Sequence, residues 1–123
     1  MASTKAVTVL SNNVTITKDQ GAEAVASSDW DLSDGYGGQL YLKVTNGATG
    51  PTVAAVLQIY ASPDDTTYYK FGGALGSTLG NDAVTTWSIP IPIGVEFIRV
   101  MSGSNTDQDV VVRIEGSEVT AIS

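Results

Sequence analysis

Apolar and polar residues alternate with a period of two along most of this chain, which is typical of strands with one buried and one wetter face. Helical periodicity is almost absent. The alternating apolar positions fall in five segments: Val7 and Val9; Val14 and Ile16; Leu40, Leu42 and Val44; Ile98 and Val100; and Val110, Val112 and Ile114. The pattern predicts an all-β chain of about eight strands.

Turn-forming residues separate the predicted strands. Asn46-Gly47 and Gly50-Pro51 bracket one connection, a tight reversal follows at 62–66, and 102–107 closes the last hairpin. This spacing predicts a single domain over residues 1–123, built as a two-sheet antiparallel sandwich. A jelly roll is the preferred topology, with an immunoglobulin-like sandwich or a small barrel as alternatives.

Two stretches at the start of the chain do not follow the pattern clearly. Residues 1–12 are compatible with an arm that docks on neighbouring molecules. Residues 21–35 are compatible with a short helical turn or with a loop.

The segment 53–61 is apolar on both of its faces, because Ala54, Val56 and Tyr60 alternate with a second apolar row. A strand of this kind is central in its sheet, and its second face needs a cover, either a loop or another subunit. Val56 and Tyr60 are therefore candidate interface residues.

Pro90 and Pro92 stand two positions apart in the apolar segment 89–93, so their missing N–H groups lie on the same side of a strand. The segment is predicted to be an edge strand, or a crossover between sheets, that is protected from unwanted pairing.

The composition argues against catalysis. The 123 residues include no histidine and no cysteine, which removes the commonest general base, the thiol nucleophile and the best transition-metal ligands. We therefore expect no enzyme and no cofactor.

The charge and hydropathy exclude two further classes of partner. The net charge of −7 and six scattered basic residues disfavour nucleic acid. No apolar run is long enough to span a bilayer, and the first residues do not suggest a cleaved leader. We expect a protein that is made and kept in the cytoplasm, or assembled there into something larger.

Three aspartates, Asp29, Asp31 and Asp34, precede Gly35 and are the candidate calcium ligands. Their spacing departs from the calcium loop of helix–loop–helix proteins, and no acid follows at the expected distance. Hydrogen bonds from the carboxylates to nearby backbone amides are the favoured interpretation, so no metal site is predicted.

Two other residue sets are candidates for contact with partners. Arg99 and Arg113 lie mid-strand on wetter faces, where each could bind another subunit or pair with a neighbour such as Glu96 or Glu115. The aromatic residues could form a sugar-stacking platform, although tryptophan in a small sandwich more often lies in the core. They are Trp30, Trp87, Tyr36, Tyr41, Tyr60, Tyr68 and Tyr69.

Residues 38–119 resemble the small β-sandwich structural proteins of tailed bacteriophages, above all head decoration (capsid cement) proteins and related head and tail accessory proteins. Three stretches carry the resemblance: 39–47 leading through Gly50-Pro51 into the long apolar strand, the turn and aromatic pattern 62–69, and Ile98-Arg99-Val100 followed by Asn105-Thr106 and 110–112. The second stretch has Asp65 where glycine is usual, which allows a different turn type.

The resemblance implies an oligomer, often a trimer, that binds the major capsid protein or other virion proteins on the outside of an icosahedral shell. Localisation in the virion after synthesis in the host cytoplasm follows from it. A tail or baseplate accessory module and a monomeric carbohydrate-binding module are the alternatives.

Overall fold

Ten β-strands form two antiparallel sheets in the computed structural model, which describes residues 3–122. The strands are β1 (Ser3–Ile16), β2 (Val25–Ala26), β3 (Trp30–Asp31), β4 (Gly38–Asn46), β5 (Val56–Ser62), β6 (Tyr69–Lys70), β7 (Leu75–Gly76), β8 (Val84–Ile91), β9 (Phe97–Gly103) and β10 (Val110–Ile122). Within this described part, no helix is long and apolar enough to cross a membrane.

The strand order is that of a jelly roll. Sheet A has the order β1-β10-β4-β8, and sheet B has β2-β9-β5-β6, with β3 also beside β9 and β7 also beside β5. The antiparallel pairs are nested along the chain: β1 with β10, β2 and β3 with β9, β4 with β8, and β5 with β6 and β7. A long hairpin folded over into two sheets produces this nesting. The predicted sandwich and its preferred topology are confirmed.

The inward faces of the two sheets form one apolar core. Buried side chains come from alternate positions of four predicted strands, as the pattern requires. They are Leu40, Leu42, Val44, Leu57, Ile59, Ile98, Val100, Val110, Val112 and Ile114.

The alternation in β1 marks a core face only at its end, where Ile16 is buried; the prediction is wrong for Val7, Val9 and Val14, which are exposed. Val7 is 68% exposed and Val9 is 42% exposed, whereas Leu10 is buried. The register of β1 against β10 shifts between Val9 and Ser11. Such a bulge adds one residue to a strand and turns the following side chain to the other face.

Residues 21–35 form loops and the two short strands β2 and β3, both of which pair with β9. Trp30 and Leu32 from this segment are buried in the core. The Trp30 ring packs so closely on Gly116 of β10 that a Cβ atom there would lie 2.5 Å from it. A segment without periodicity therefore contributes the largest buried side chain.

Strand β5 is central in sheet B, as predicted, but it begins at Val56 and not at Val53. The backbone of Val53 instead exchanges hydrogen bonds with Thr106, donating to its Oγ1 and accepting from its N–H. The second face of β5 is partly covered by the chain itself. Gln58 is buried there and donates from Nε2 to the carbonyl of Gly72 over 3.2 Å.

Strands β1 and β8 form the two edges of sheet A. Pro90 lies in β8 opposite Gln39, and Pro92 follows directly after the strand, which confirms the predicted edge position; its protection from pairing stays a prediction. Residues 3–12, considered above as an arm, lie in β1 and pair with β10 of the same chain. Met1 and Ala2 lie outside the described residues, and docking of this segment on a neighbour stays a prediction.

Candidate interaction surfaces

Arg99 lies on the outer face of sheet B and binds two other segments of the chain. It donates from Nε to Asp29 Oδ1 over 2.6 Å and from Nη2 to Asp29 Oδ2 over 2.9 Å. Its guanidinium carbon lies 4.0 Å from the centroid of the Tyr68 ring, in a cation–π contact. The Asp29 partner raises the pKa of Arg99, and the Arg99 hydrogen bonds lower the pKa of Asp29.

Tyr68 is held in place from the turn that precedes it. Its hydroxyl donates to Asp65, and its pKa is raised, chiefly by burial and then by that hydrogen bond. Asp65 has φ of 60°, in the left-handed region that favours glycine. The aspartate therefore adopts the backbone conformation of the glycine expected there. Asp64 supports the turn, since its Oδ1 accepts the N–H groups of Thr66 and Thr67.

Tyr60 of β5 lies beside Arg99 of β9, so the structure brings these two interface candidates together. The Tyr60 hydroxyl donates to Glu23, and this hydrogen bond raises the pKa of Tyr60. A depression of about 170 Å³ lies between these side chains. Its lining consists of Glu23, Tyr60, Tyr68, Arg99 and Met101. Val56 is on the same strand, opposite Gly103, and is half-buried within its own chain.

Arg113 lies on the opposite side of the molecule, on the outer face of sheet A. It donates from Nε to Glu115 Oε1 over 2.7 Å and from Nη1 to Asn12 Oδ1 over 2.5 Å. Arg113 thus pairs with a neighbour named for it, Glu115, whereas Arg99 pairs with Asp29 and not with Glu96; contact of either arginine with another subunit stays a prediction. A wider depression of about 640 Å³ borders Arg113. Its polar lining includes Tyr41, Lys43, Thr86, Ser88 and Glu115.

The candidate metal ligands Asp29 and Asp31 bind different partners. Asp29 binds Arg99, and Asp31 Oδ1 accepts the N–H and the hydroxyl of Ser33 over 2.9 and 2.6 Å. The pKa of Glu118 is raised, first by burial and then by the negative charges of Asp31 and Asp34. In the part of the chain from 3 to 122, no three acidic side chains converge closely enough to hold a metal ion.

The tryptophans do not form an exposed platform. Trp30 is buried, and Trp87 is half-buried and packs against the core. The rings of Tyr36, Tyr41 and Tyr69 are the exposed ones.

The sequence patterns missed two features of the surfaces. Several exposed apolar side chains lie on or beside the outer face of sheet A, among them Val7, Val9, Val84 and Ile93. The alternation identified the two valines of β1 as strand residues on one face, but only their exposure in the structure shows that this face points outward. Asn105 was also missed, although it is fully buried and donates from Nδ2 to the carbonyls of Ile16 and Gln108.

Solved structures share this fold at low sequence identity. A chain of infectious bursal disease virus, Gx strain, aligns over 98% of this chain with a TM-score of 0.61 and 10% identity, and 34% of the viral chain is covered. The SPBc2 prophage-derived protein YomS aligns over 95% of this chain and 96% of its own, with a TM-score of 0.50 and 14% identity.

The K3 cleaved adhesin domain of Lys-gingipain from Porphyromonas gingivalis w83 has the same TM-score, 0.50, at 15% identity, over 77% of this chain and 61% of its own. This chain thus spans about a third of the viral chain and under two thirds of the adhesin domain. Neither a protein-family model nor a curated protein sequence matches the chain. These likenesses establish the β-sandwich fold.

Proposed function

We propose that this protein is a non-enzymatic structural protein of a virion, and specifically a decoration or cement protein on the outside of a tailed-phage capsid. The observation that carries the proposal is the β-sandwich that nearly the whole chain shares with a chain of infectious bursal disease virus, an icosahedral virus, and, end to end, with a prophage-derived protein. The resemblance of 38–119 to decoration proteins points the same way.

The chemistry of the two outer faces supports a role in binding proteins rather than in catalysis. Both arginines that lie on these faces have carboxylate partners within the chain, so neither is left as an isolated cation for a substrate. The chain has no histidine or cysteine to act as a base or nucleophile. Its net charge of −7 disfavours contact with packaged nucleic acid, and the major capsid protein is the proposed partner.

We expect this protein to bind the shell as a homo-oligomer, because many symmetric copies let weak contacts add through avidity. It would be made in the host cytoplasm and then enter the virion. The test compares particles that carry the protein with particles that lack it. Particles without it should assemble but rupture at lower temperature, and purified protein added back should restore their stability.

Location on the particle separates this proposal from a tail or baseplate module, which the end-to-end likeness to a prophage-derived protein also fits. Gold-labelled antibody against the protein should label heads. Labelling of tails alone, together with failure of the purified protein to bind empty shells, would replace the cement function with the tail function.

A carbohydrate-binding module is the third candidate, supported by the exposed Tyr41 ring beside the wider depression. Binding of the monomer to a glycan array would favour it.

A further inference from the structure

Strand β1 has an open side between residues 4 and 9. It pairs with β10 along its other side, and every residue from Thr4 to Val9 is exposed. The open side closes only at Leu10, whose carbonyl accepts the N–H of Ser28 over 3.1 Å. Within residues 3–122, no strand pairs with this side of β1. A row of backbone groups is therefore available to another strand.

The other edges of the two sheets are poor templates for pairing. Strand β8 carries Pro90, with Pro92 directly after it, and the edge strands β2, β3, β6 and β7 have two residues each. Strand β1 has 14 residues and no proline. Register shifts occur at Thr4/Lys5 and after Val9, so the run from Lys5 to Val9 between them is regular. Proteins commonly protect exposed edges with proline, lysine or bulges; β8 has proline, whereas β1 has Lys5 and bulges that leave the five residues from Lys5 to Val9 in regular register.

Charge favours a second copy of this chain as the occupant. Two molecules with a net charge of −7 repel each other over most of their surface. Residues 3–16 contain Lys5 and no acid, so this edge itself brings no negative charge to a contact between copies. On the neighbouring strand, Glu115 is paired with Arg113, and the carboxylate of Glu118, opposite Ala6, lies against Gly35. The exposed side chains of Val7 and Val9 would lose water on pairing.

Symmetry then fixes how the copies meet. A head-to-tail contact would pair β1 with the other edge of sheet A, β8, and Pro90 removes a backbone donor from that edge. We propose that β1 pairs antiparallel with β1 of a second copy across a two-fold axis, which joins the two A sheets into one. The axis passes near Val7, the middle of the regular run. This register places Lys5 opposite Val9 of the second copy and keeps the two lysines apart.

This inference does not depend on the proposed virion function, and it gives a dimer where the family resemblance implies a trimer. Sedimentation equilibrium over a dilution series should show a species of twice the 12.8 kDa chain mass. Val7→Glu should raise the dimer dissociation constant by about tenfold or more, because it places like charges opposite each other.

Ile93→Glu is the matched control, because Ile93 is 67% exposed and Val7 is 68% exposed. Both variants add the same charge and remove a similar apolar surface, and far-ultraviolet circular dichroism checks that both fold. Ile93→Glu should leave the dimer intact. A wild-type monomer at every concentration, a trimer, or equal dissociation of both variants would each overturn the proposal.

A cysteine substitution locates the axis. The chain has no other cysteine, and opposite residues of antiparallel strands have Cα atoms about 4.5–5.5 Å apart, within the range of a disulfide. Val7→Cys should therefore form a disulfide-linked dimer on mild oxidation, and Ile93→Cys should stay monomeric on denaturing gels. Equal cross-linking of both variants would show random collision and contradict the two-fold pairing.

Discussion

Arg99 binds Asp29 through two parallel hydrogen bonds of 2.6 and 2.9 Å, while its guanidinium lies 4.0 Å from the centre of the Tyr68 ring. Asp29 directly precedes β3, the strand that carries Trp30 into the core. The planar fork of arginine matches both oxygens of a carboxylate, which an ammonium group does not. The pair therefore attaches the segment before β3 to the centre of sheet B, and this gives the pair a measurable effect on stability.

We expect the protein to lose the stabilising contribution of the Asp29–Arg99 pair at acid pH. The pKa of Asp29 is lowered below 3.8 in the folded state, first by the Arg99 hydrogen bonds. Its contribution to stability is therefore fully present above pH 3.8 and is lost as the pH falls through the lower folded value. Because both side chains are about one third exposed, the pair contributes at most about 1 kcal/mol.

Urea unfolding of the wild type and of Asp29→Asn at pH 6 and at pH 3 measures this contribution. The difference in the free energy of unfolding between the two proteins should be larger at pH 6. Asp82→Asn, at an exposed aspartate just before β8 of sheet A, serves as a control for the change of net charge. An Asp29→Asn difference that does not depend on pH would contradict the role assigned to the pair.

Gly116→Ala should destabilise the protein. A Cβ atom at this position would lie 2.5 Å from the Trp30 ring, which is buried and has no room to move away. Overpacking of this kind costs about 1–3 kcal/mol. Thermal unfolding of Gly76→Ala provides the control, because no atom lies within 4 Å of a Cβ at Gly76, in another strand. Similar melting temperatures for the two variants would show that the core does not need a glycine under Trp30.

The sequence predicts those parts of the fold that depend on one strand alone. Ile98 and Val100 alternate with Arg99 because one face of β9 is buried, and this can be read without knowing the partner strands. The bulge after Val9, which turns Leu10 into the core, arises from pairing with β10, more than a hundred residues away, and therefore leaves no local signal. Trp30 is likewise buried from a non-periodic segment, because β9 and Gly116 receive it.

In the candidate sites too, sequence patterns identify partners that are close along the chain and not those that are distant. Residue type and strand position left each arginine with two interpretations, contact with another subunit or pairing with a nearby carboxylate, and Arg113 does meet Glu115, two residues away. The partner of Arg99 lies 70 residues away in sequence, on the segment for which no structure was predicted. Long-range partners depend on the topology, which the strand pattern favoured but did not determine.

Asn105→Ala should reduce stability by about 1–3 kcal/mol. The Asn105 amide is fully buried and donates to the carbonyls of Ile16 and Gln108, over 3.1 and 2.9 Å. Removing a donor from buried acceptors leaves them without a partner, which costs more than an ordinary hydrogen bond contributes. Chemical denaturation measures the loss, with the exposed Gln20→Ala as control. A loss no larger than that of Gln20→Ala would show that water replaces the amide.

Replacement of both prolines at the β8 edge should create a second site of self-association. Proline on an edge strand directs its missing N–H toward solvent, so threonine at Pro90 and Pro92 would restore donors on the open side of β8. These positions lie at the far edge of sheet A from β1. The experiment uses the Val7→Glu background, in which pairing through β1 should be weakened.

Sedimentation of Val7→Glu/Pro90→Thr/Pro92→Thr should show association that Val7→Glu alone lacks. Pro63→Thr in the same background controls for proline removal, because Pro63 is exposed in a turn and not on an edge. Threonine at the two edge positions should have little effect on the fold, since Pro90 and Pro92 are exposed. A triple variant that stays monomeric would mean that the twist or the side chains of β8, and not its prolines, prevent pairing at this edge. Proline would then not be the feature that distinguishes the β8 edge from the β1 edge.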